Sequence, residues 1–187
     1  MAVQKSVEKW KTKKWFNIYA PAIFGDVVIG EIPGSDEKSM IGRVIKVNMS
    51  WITHKPEHSF ITVAMKIIEA NGDAAKTSLA SLEQTYSFIH SLVKRGQSAI
   101  YTVDSLKDKD GRPFVLKLLI MTSYKIATPK KTAIRKTVSQ FLNEYSKTIE
   151  AESLVKDILD GKLQQEAVKR IANIAEVSKF ELKKIEL

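Results

Sequence analysis

Between Trp15 and Pro33 the apolar residues come in short runs, WFNIYA, AIF and VVIG, cut by Pro21, Gly25, Gly30 and the Pro33-Gly34 pair. Short runs bounded by Pro and Gly predict strands rather than helices. MIGRVIKVNM alternates well enough to predict another strand, and HSFITVAMKIIEA predicts a longer one ending at Asn71-Gly72-Asp73. Asn-Gly is a strong turn signal because both central residues of a type I′ turn need positive φ. The period then changes. In SLEQTYSFIHSLVKRG the residues Leu82, Tyr86, Ile89, Leu92 and Val93 share one helical face, which predicts a helix over about 81–95. Ser81 is its candidate N-cap, Gln84 stands at capping-box spacing, and Gly96 can close the C-terminus. Strand grammar returns in SAIYTVDSLKDKDGRPFVLKLLIMTSYKIA, with Asp110-Gly111 at a hairpin turn. Its nearly unbroken apolar run, Val115 to Met121, suits a central strand.

After Ile126 the pattern becomes helical. Thr128 is a candidate N-cap and Pro129 fits the first helical position, while Ile134, Val138, Phe141, Leu142 and Tyr145 follow at helical spacing. Two shorter helices are predicted over 151–160 and 162–175, divided by Gly161. In the tail KFELKKIEL the apolar positions are Phe180, Leu182 and then Ile185, which suits a last strand. The fold class expected is α+β: a mostly antiparallel β core over 15–126 with one inserted helix. A basic N-terminal arm over 1–14 precedes it, and a helical region over 127–187 packs on the core and ends in a short strand.

The chain has 187 residues and no Cys. That length suits one domain with an adequate core, and the missing Cys excludes disulfides, thiolate metal sites and a Cys nucleophile. A reducing compartment is expected. No apolar run approaches the ~20 residues that span a bilayer. The start, MAVQKSVEKWKTKKW, has no apolar stretch, so no secretory leader and no membrane partner are expected.

Charge changes the picture more. The net charge is +9, and it is concentrated in two short segments. Residues 1–15 hold Lys5, Lys9, Lys11, Lys13 and Lys14 against Glu8 alone, and residues 125–136 hold Lys125, Lys130, Lys131, Arg135 and Lys136 with no acid. The rest of the chain is balanced, so the excess suggests localised binding of a polyanion. In the first segment Trp10 and Trp15 interleave with lysines, a mixture that suits bases and phosphates together. Trp15 and Phe16 are assigned to the first strand's core face, and Trp10 is left open. Lys94 and Arg95 stand at the end of the inserted helix, where cations complement the dipole without needing a ligand.

Signatures of catalysis are sparse. The chain has no phosphate loop, dinucleotide fingerprint or serine elbow. In HKPEH, His54 and His58 are four apart, but Pro56 disfavours the helix that would align them on a metal, so a surface loop is expected. Asp108 and Asp110 in KDKDG are expected to form a turn. No cofactor or metal is expected. TPKKTAIRK, Thr128 to Lys136, is the unusual stretch, because Lys130 and Lys131 sit at a helix N-terminus, the end that repels cations. Free N–H groups, dipole and ammonium groups there all favour phosphate, and Lys131 and Arg135 share a face.

KKWFNIYAPAIFG, a β-rich stretch, SFIHSLVKRGQSAI, an Asp-Gly hairpin and then KTAIRK together resemble the eS-one family of the small ribosomal subunit, shared by archaea and eukaryotes and formerly named S-three-a-e. The similarity runs over roughly residues 9–160. Its most specific pieces are Lys14-Trp15 followed by Ala20-Pro21 and Phe24, and the run Thr132 to Lys136. The resemblance implies a cytoplasmic, non-catalytic protein on the platform of the small subunit near the messenger RNA exit. It implies ribosomal RNA and neighbouring ribosomal proteins as partners, with messenger RNA close by, and a β-barrel with flanking helices. Alternatives from other classes are an RNA-modifying or nucleolytic enzyme using Glu57, His58 or His90, and a protein-interaction scaffold.

Overall fold

The computed structural model describes residues 13–187. It is α+β, with eight strands and six helices among the described residues, and falls into two compact units divided between Ala80 and Ser81.

In the first unit, β1 (Lys14–Tyr19) pairs antiparallel with β2 (Val28–Gly34), with Phe16 opposite Ile32. A short 3-10 turn, Ala22–Phe24, joins them and is closed by Gly25 at φ 88. Helix α1 (Glu37–Met40) leads into β3 (Val44–Asn48), and α2 (Met49–Thr53) follows with the Asn48 side chain accepting from the Ser50 N–H. β4 (Ile61–Asn71) and β5 (Ala74–Gln84) form a hairpin. β5 also pairs with β1, in parallel, so the sheet is mixed. Phe16, Ile18, Met40, Ile67, Ala70 and Ala75 make its core.

The second unit takes the end of β5 at Ser81, Leu82 and Glu83, which pairs with β8 (Val177–Glu186). β8 pairs with β7 (Pro113–Thr122), and β7 with β6 (Ala99–Lys107), all antiparallel. Leu116, Leu118, Leu119, Ile120 and Met121 are almost fully buried, as the apolar run predicts. Helix α3 (Tyr86–Leu92) covers Leu119 and Met121 with Ile89 and Leu92. α4 (Thr128–Ser146) lies along β6, and α5 (Ala151–Leu159) and α6 (Lys162–Ile171) pack with it.

Several expectations are corrected. The strands do not close into a barrel: β2 and β3 bound the sheet in the first unit and β6 bounds it in the second. Helix α3 is shorter than the predicted 81–95. Ser81–Glu83 stay in β5 because pairing with β8 buries Leu82, and this non-local ladder outweighs the local capping box. Of the pair assigned to the core, Phe16 is buried but Trp15 is 61% exposed, since neighbouring residues of a strand face opposite sides. At Asn71-Gly72 only Gly72 takes positive φ, so the turn centres on Gly72-Asp73 with the glycine first, as a type II′ turn requires. The last helix stops at Ile171, short of 175.

Candidate nucleic-acid interface

The site begins with the link from β7 to α4. Thr122 is fully buried and its hydroxyl donates to the Tyr124 carbonyl at 2.6 Å. The Ser98 N–H donates to the same hydroxyl at 3.2 Å, and the Ser98 hydroxyl accepts from the Ile126 N–H at 3.1 Å. Two small buried hydroxyls thus supply partners for a linker that could find none in a sheet, and fix where α4 starts. Lys125, between these anchors, is exposed.

α4 itself is held by one face. Ile134, Val138, Phe141 and Leu142 are buried, each worth ~1.5–3 kcal/mol. Against that, a cation near a helix N-terminus costs ~0.3–1 kcal/mol, so burial readily carries the misplaced lysines. The N-cap is Ala127, one residue earlier than the sequence suggests, and no side chain caps the first turn. Thr128 is instead the first helical residue, with its carbonyl accepting from the Thr132 hydroxyl at 3.2 Å. Lys130, Arg135 and Lys136 are exposed and Lys131 half-buried. Among the described residues none of Lys125, Lys130, Lys131, Arg135 and Lys136 lies within ion-pair distance of a carboxylate. Arg135 is the one that is anchored: its Nε donates to the Tyr101 carbonyl of β6 at 3.4 Å. One turn on, the Ser139 hydroxyl donates to Asp104, also on β6.

The other end of α4 is different. Arg170 donates to Glu144 at 2.9 Å and stacks over the Phe141 ring at 4.8 Å. The Tyr145 hydroxyl donates to Asp157 at 3.0 Å, and burial together with that bond pushes its pKa up to about 12. Lys162 meets both Asp157 and Asp160 at 3.6 Å.

The remaining predicted residues are scattered. Lys5, Lys9, Trp10 and Lys11 lie outside the described residues. Lys13 and Lys14 are exposed at the start of β1. Lys94 and Arg95 are exposed in the turn after α3, whose C-cap is Val93, so they follow the helix rather than end it. The turn is closed through Gly96 at φ 85. His54 caps α2 in the left-handed region, and His58 Nδ1 lies 2.9 Å from the Thr53 hydroxyl, so the HKPEH pair is used within its own loop. Among the described residues no three His, Cys, Asp or Glu gather as a metal site. Asp108 forms a turn as expected: it accepts from the Lys109 N–H at 2.6 Å, with Gly111 at φ 78.

Two residues that the sequence does not single out also stand here. Tyr101 carries Arg135 on its carbonyl, and Lys183 Nζ lies 5.4 Å from its ring centroid. Tyr101 is at an outward position of an alternating strand, which is legible; Lys183 is not, because its place comes from a bulge. Lys117 faces Lys184 and Leu118 faces Leu182, so Lys183 is the extra residue.

An α+β frame presents an uncapped helix start with its cations unneutralised, an arrangement chemically suited to holding phosphate by position. Comparison with known proteins places the chain in a family. A family model described as the Ribosomal S3Ae family matches residues 1–187. The chain is 31% identical over 180 residues to small ribosomal subunit protein eS1 of Pyrobaculum neutrophilum, covering 96% of this chain and 81% of that one. It is 30% identical over 185 residues to the eS1 protein of Methanoculleus marisnigri, covering 99% and 94%. The chain belongs to the Ribosomal S3Ae family. It is a structural ribosomal protein and not an enzyme.

Proposed function

We propose that this protein is a structural component of the small ribosomal subunit that binds ribosomal RNA through the start of α4, with the lysines of residues 5–14 and Lys94 and Arg95 as further phosphate contacts. The observation that carries this reading is the run of five basic residues from Lys125 to Lys136, with no acid in it and no ion pair among the described residues. A surface evolved only for solubility gains from interspersed charges of both signs. Cations crowded on an uncapped helix start gain when a phosphate arrives, because N–H groups, dipole and ammonium all favour it. The resemblance of the sequence to its family extends the reading to the subunit platform near the messenger RNA exit, beside neighbouring ribosomal proteins.

Binding of the full chain to a small-subunit ribosomal RNA transcript tests it. With about five phosphates neutralised, log affinity should fall against log salt with a slope near −4, so that doubling the salt weakens binding ~16-fold. A slope near zero would sink the reading. In a cell lysate the protein should sediment with the small subunit and be released by RNase.

A further inference from the structure

We propose that Tyr101 is a stacking site for an unpaired RNA base, served by Arg135 and Lys183; this rests on the RNA-binding reading above and names the form of RNA that the site takes. β6 alternates cleanly: Ile100, Thr102 and Leu106 are buried while Tyr101 and Val103 are 45% and 65% exposed. Among the described strands β6 pairs only with β7, so these two side chains stand at an edge. Arg135 is held at that edge by the Tyr101 carbonyl, and it shares its helix face with Lys131. On the sheet face, the Lys183 ammonium stands over the ring, 5.4 Å from its centroid, so an incoming base takes the ring's other face. Neither cation lies within ion-pair distance of a carboxylate among the described residues. The carboxylate in the same cross-strand row, Glu181 opposite Leu119, accepts from Gln84 at 3.1 Å, and Leu119, buried under α3, separates it from Tyr101.

A partly exposed ring beside two cations that are outside ion-pair distance of any carboxylate among the described residues is complementary to a nucleotide. The base meets the ring, Val103 extends the apolar floor, and the flanking phosphates meet Arg135 and Lys183. Every base has a π-face, so such a platform needs no sequence, but it does need a base that is not paired in a helix. Tyr86 is barer at 73%, yet its ring already leans on the His90 ring, tilted 46° with centroids 4.0 Å apart. An acidic protein segment would also meet the cations, but it would not require the ring.

The test measures the full chain against an oligouridylate strand and against a fully paired RNA duplex of equal length, for the wild type, Tyr101→Leu, Tyr101→Phe and the triple Lys130→Gln, Lys131→Gln, Arg135→Gln. Tyr101→Leu should weaken oligouridylate binding ~10-fold and leave duplex binding and the salt slope unchanged. Tyr101→Phe, which keeps the ring, should retain wild-type affinity, and the unchanged duplex binding of Tyr101→Leu shows that folding is not the cause of its loss. If Tyr101→Leu matches wild type on the single strand while the triple variant loses both RNAs, the stacking site is overturned and the RNA-binding reading stands. If the wild type binds neither RNA in a salt-dependent way, both fall. Loss in Tyr101→Leu of binding to ribosomal proteins, with oligouridylate affinity intact, would make the patch a protein contact and also overturn the proposal.

Discussion

The start of α4 and the charged ladder across β5, β8 and β7 use the same kinds of residue to opposite ends. In the ladder, Lys184 meets Glu186 at 3.0 Å and Glu83 at 3.3 Å, and Lys117 meets Glu186 at 3.0 Å. The hydrogen bond to Glu186 raises the Lys184 pKa, and the hydrogen bonds from Lys184 and then Lys117 hold Glu186 below the usual carboxylate range. Those charges are answered within the fold. Among the described residues the lysines at the start of α4 have no such partners, and of the basic side chains there only Arg135 has a hydrogen bond, to a neutral carbonyl. A cation count treats the two regions alike. Their difference is whether an anion from outside would be the first partner or a replacement for one already in place.

The largest expected effect is on RNA affinity. The triple Lys130→Gln, Lys131→Gln, Arg135→Gln should lose ~100-fold in affinity near physiological salt and flatten the salt slope by about 2. The paired change Lys117→Gln, Lys184→Gln removes two charges against the triple's three, yet should leave RNA affinity within ~2-fold, because those cations do not release counterions on binding. Equal losses in the two variants, read by filter binding across a salt series, would erase the distinction.

Next is the buried clamp that aims α4. Thr122→Val should cost ~1–3 kcal/mol in urea unfolding, since the Ser98 N–H and the Tyr124 carbonyl both lose the buried Thr122 hydroxyl as a partner. The loss would be one of stability, with the salt slope of the folded protein unchanged. A neutral result would mean that the linker does not depend on these hydroxyls.

The smallest effect belongs to the ladder. Glu186 has a lowered folded pKa, so its contribution is present above the unfolded carboxylate value and is lost as pH falls through the folded one. Lys184 has a raised folded pKa, so its contribution is present below the unfolded lysine value and is lost as pH rises through the folded one. Both side chains are half-buried and still screened by solvent, and Glu186→Gln should cost about 0.5 kcal/mol at neutral pH. The same variant should shallow the fall of thermal stability on acidification, with no change in RNA affinity. An unaltered acid limb would show that the ladder is only surface decoration.

Much of this fold was legible locally. The strands of the first unit, the Gly161 break and the α4 face all follow from period and punctuation, because burying one face requires that spacing whatever lies opposite. Even the slip from Leu182 to Ile185 was visible in the tail, as a phase change that the bulge at Lys183 absorbs. The basic run at Lys125–Lys136 was equally plain.

Other features could not be read this way. Ser81–Gln84 carry a capping box and a helical face, yet they are strand, because β8 lies about a hundred residues away in sequence and offers a ladder that buries Leu82. Barrel closure fails for a similar reason, since which edges meet depends on strand order and not on any strand's own pattern. Trp15 and Phe16 shared one assignment until the strand's sides were fixed. Sequence alone determined which segments become strands or helices and where the cations are concentrated, because both depend on neighbours along the chain. Only the tertiary structure decided which of those cations find a carboxylate, and which ring they flank, because pairing is settled by residues that folding brings across the sheet.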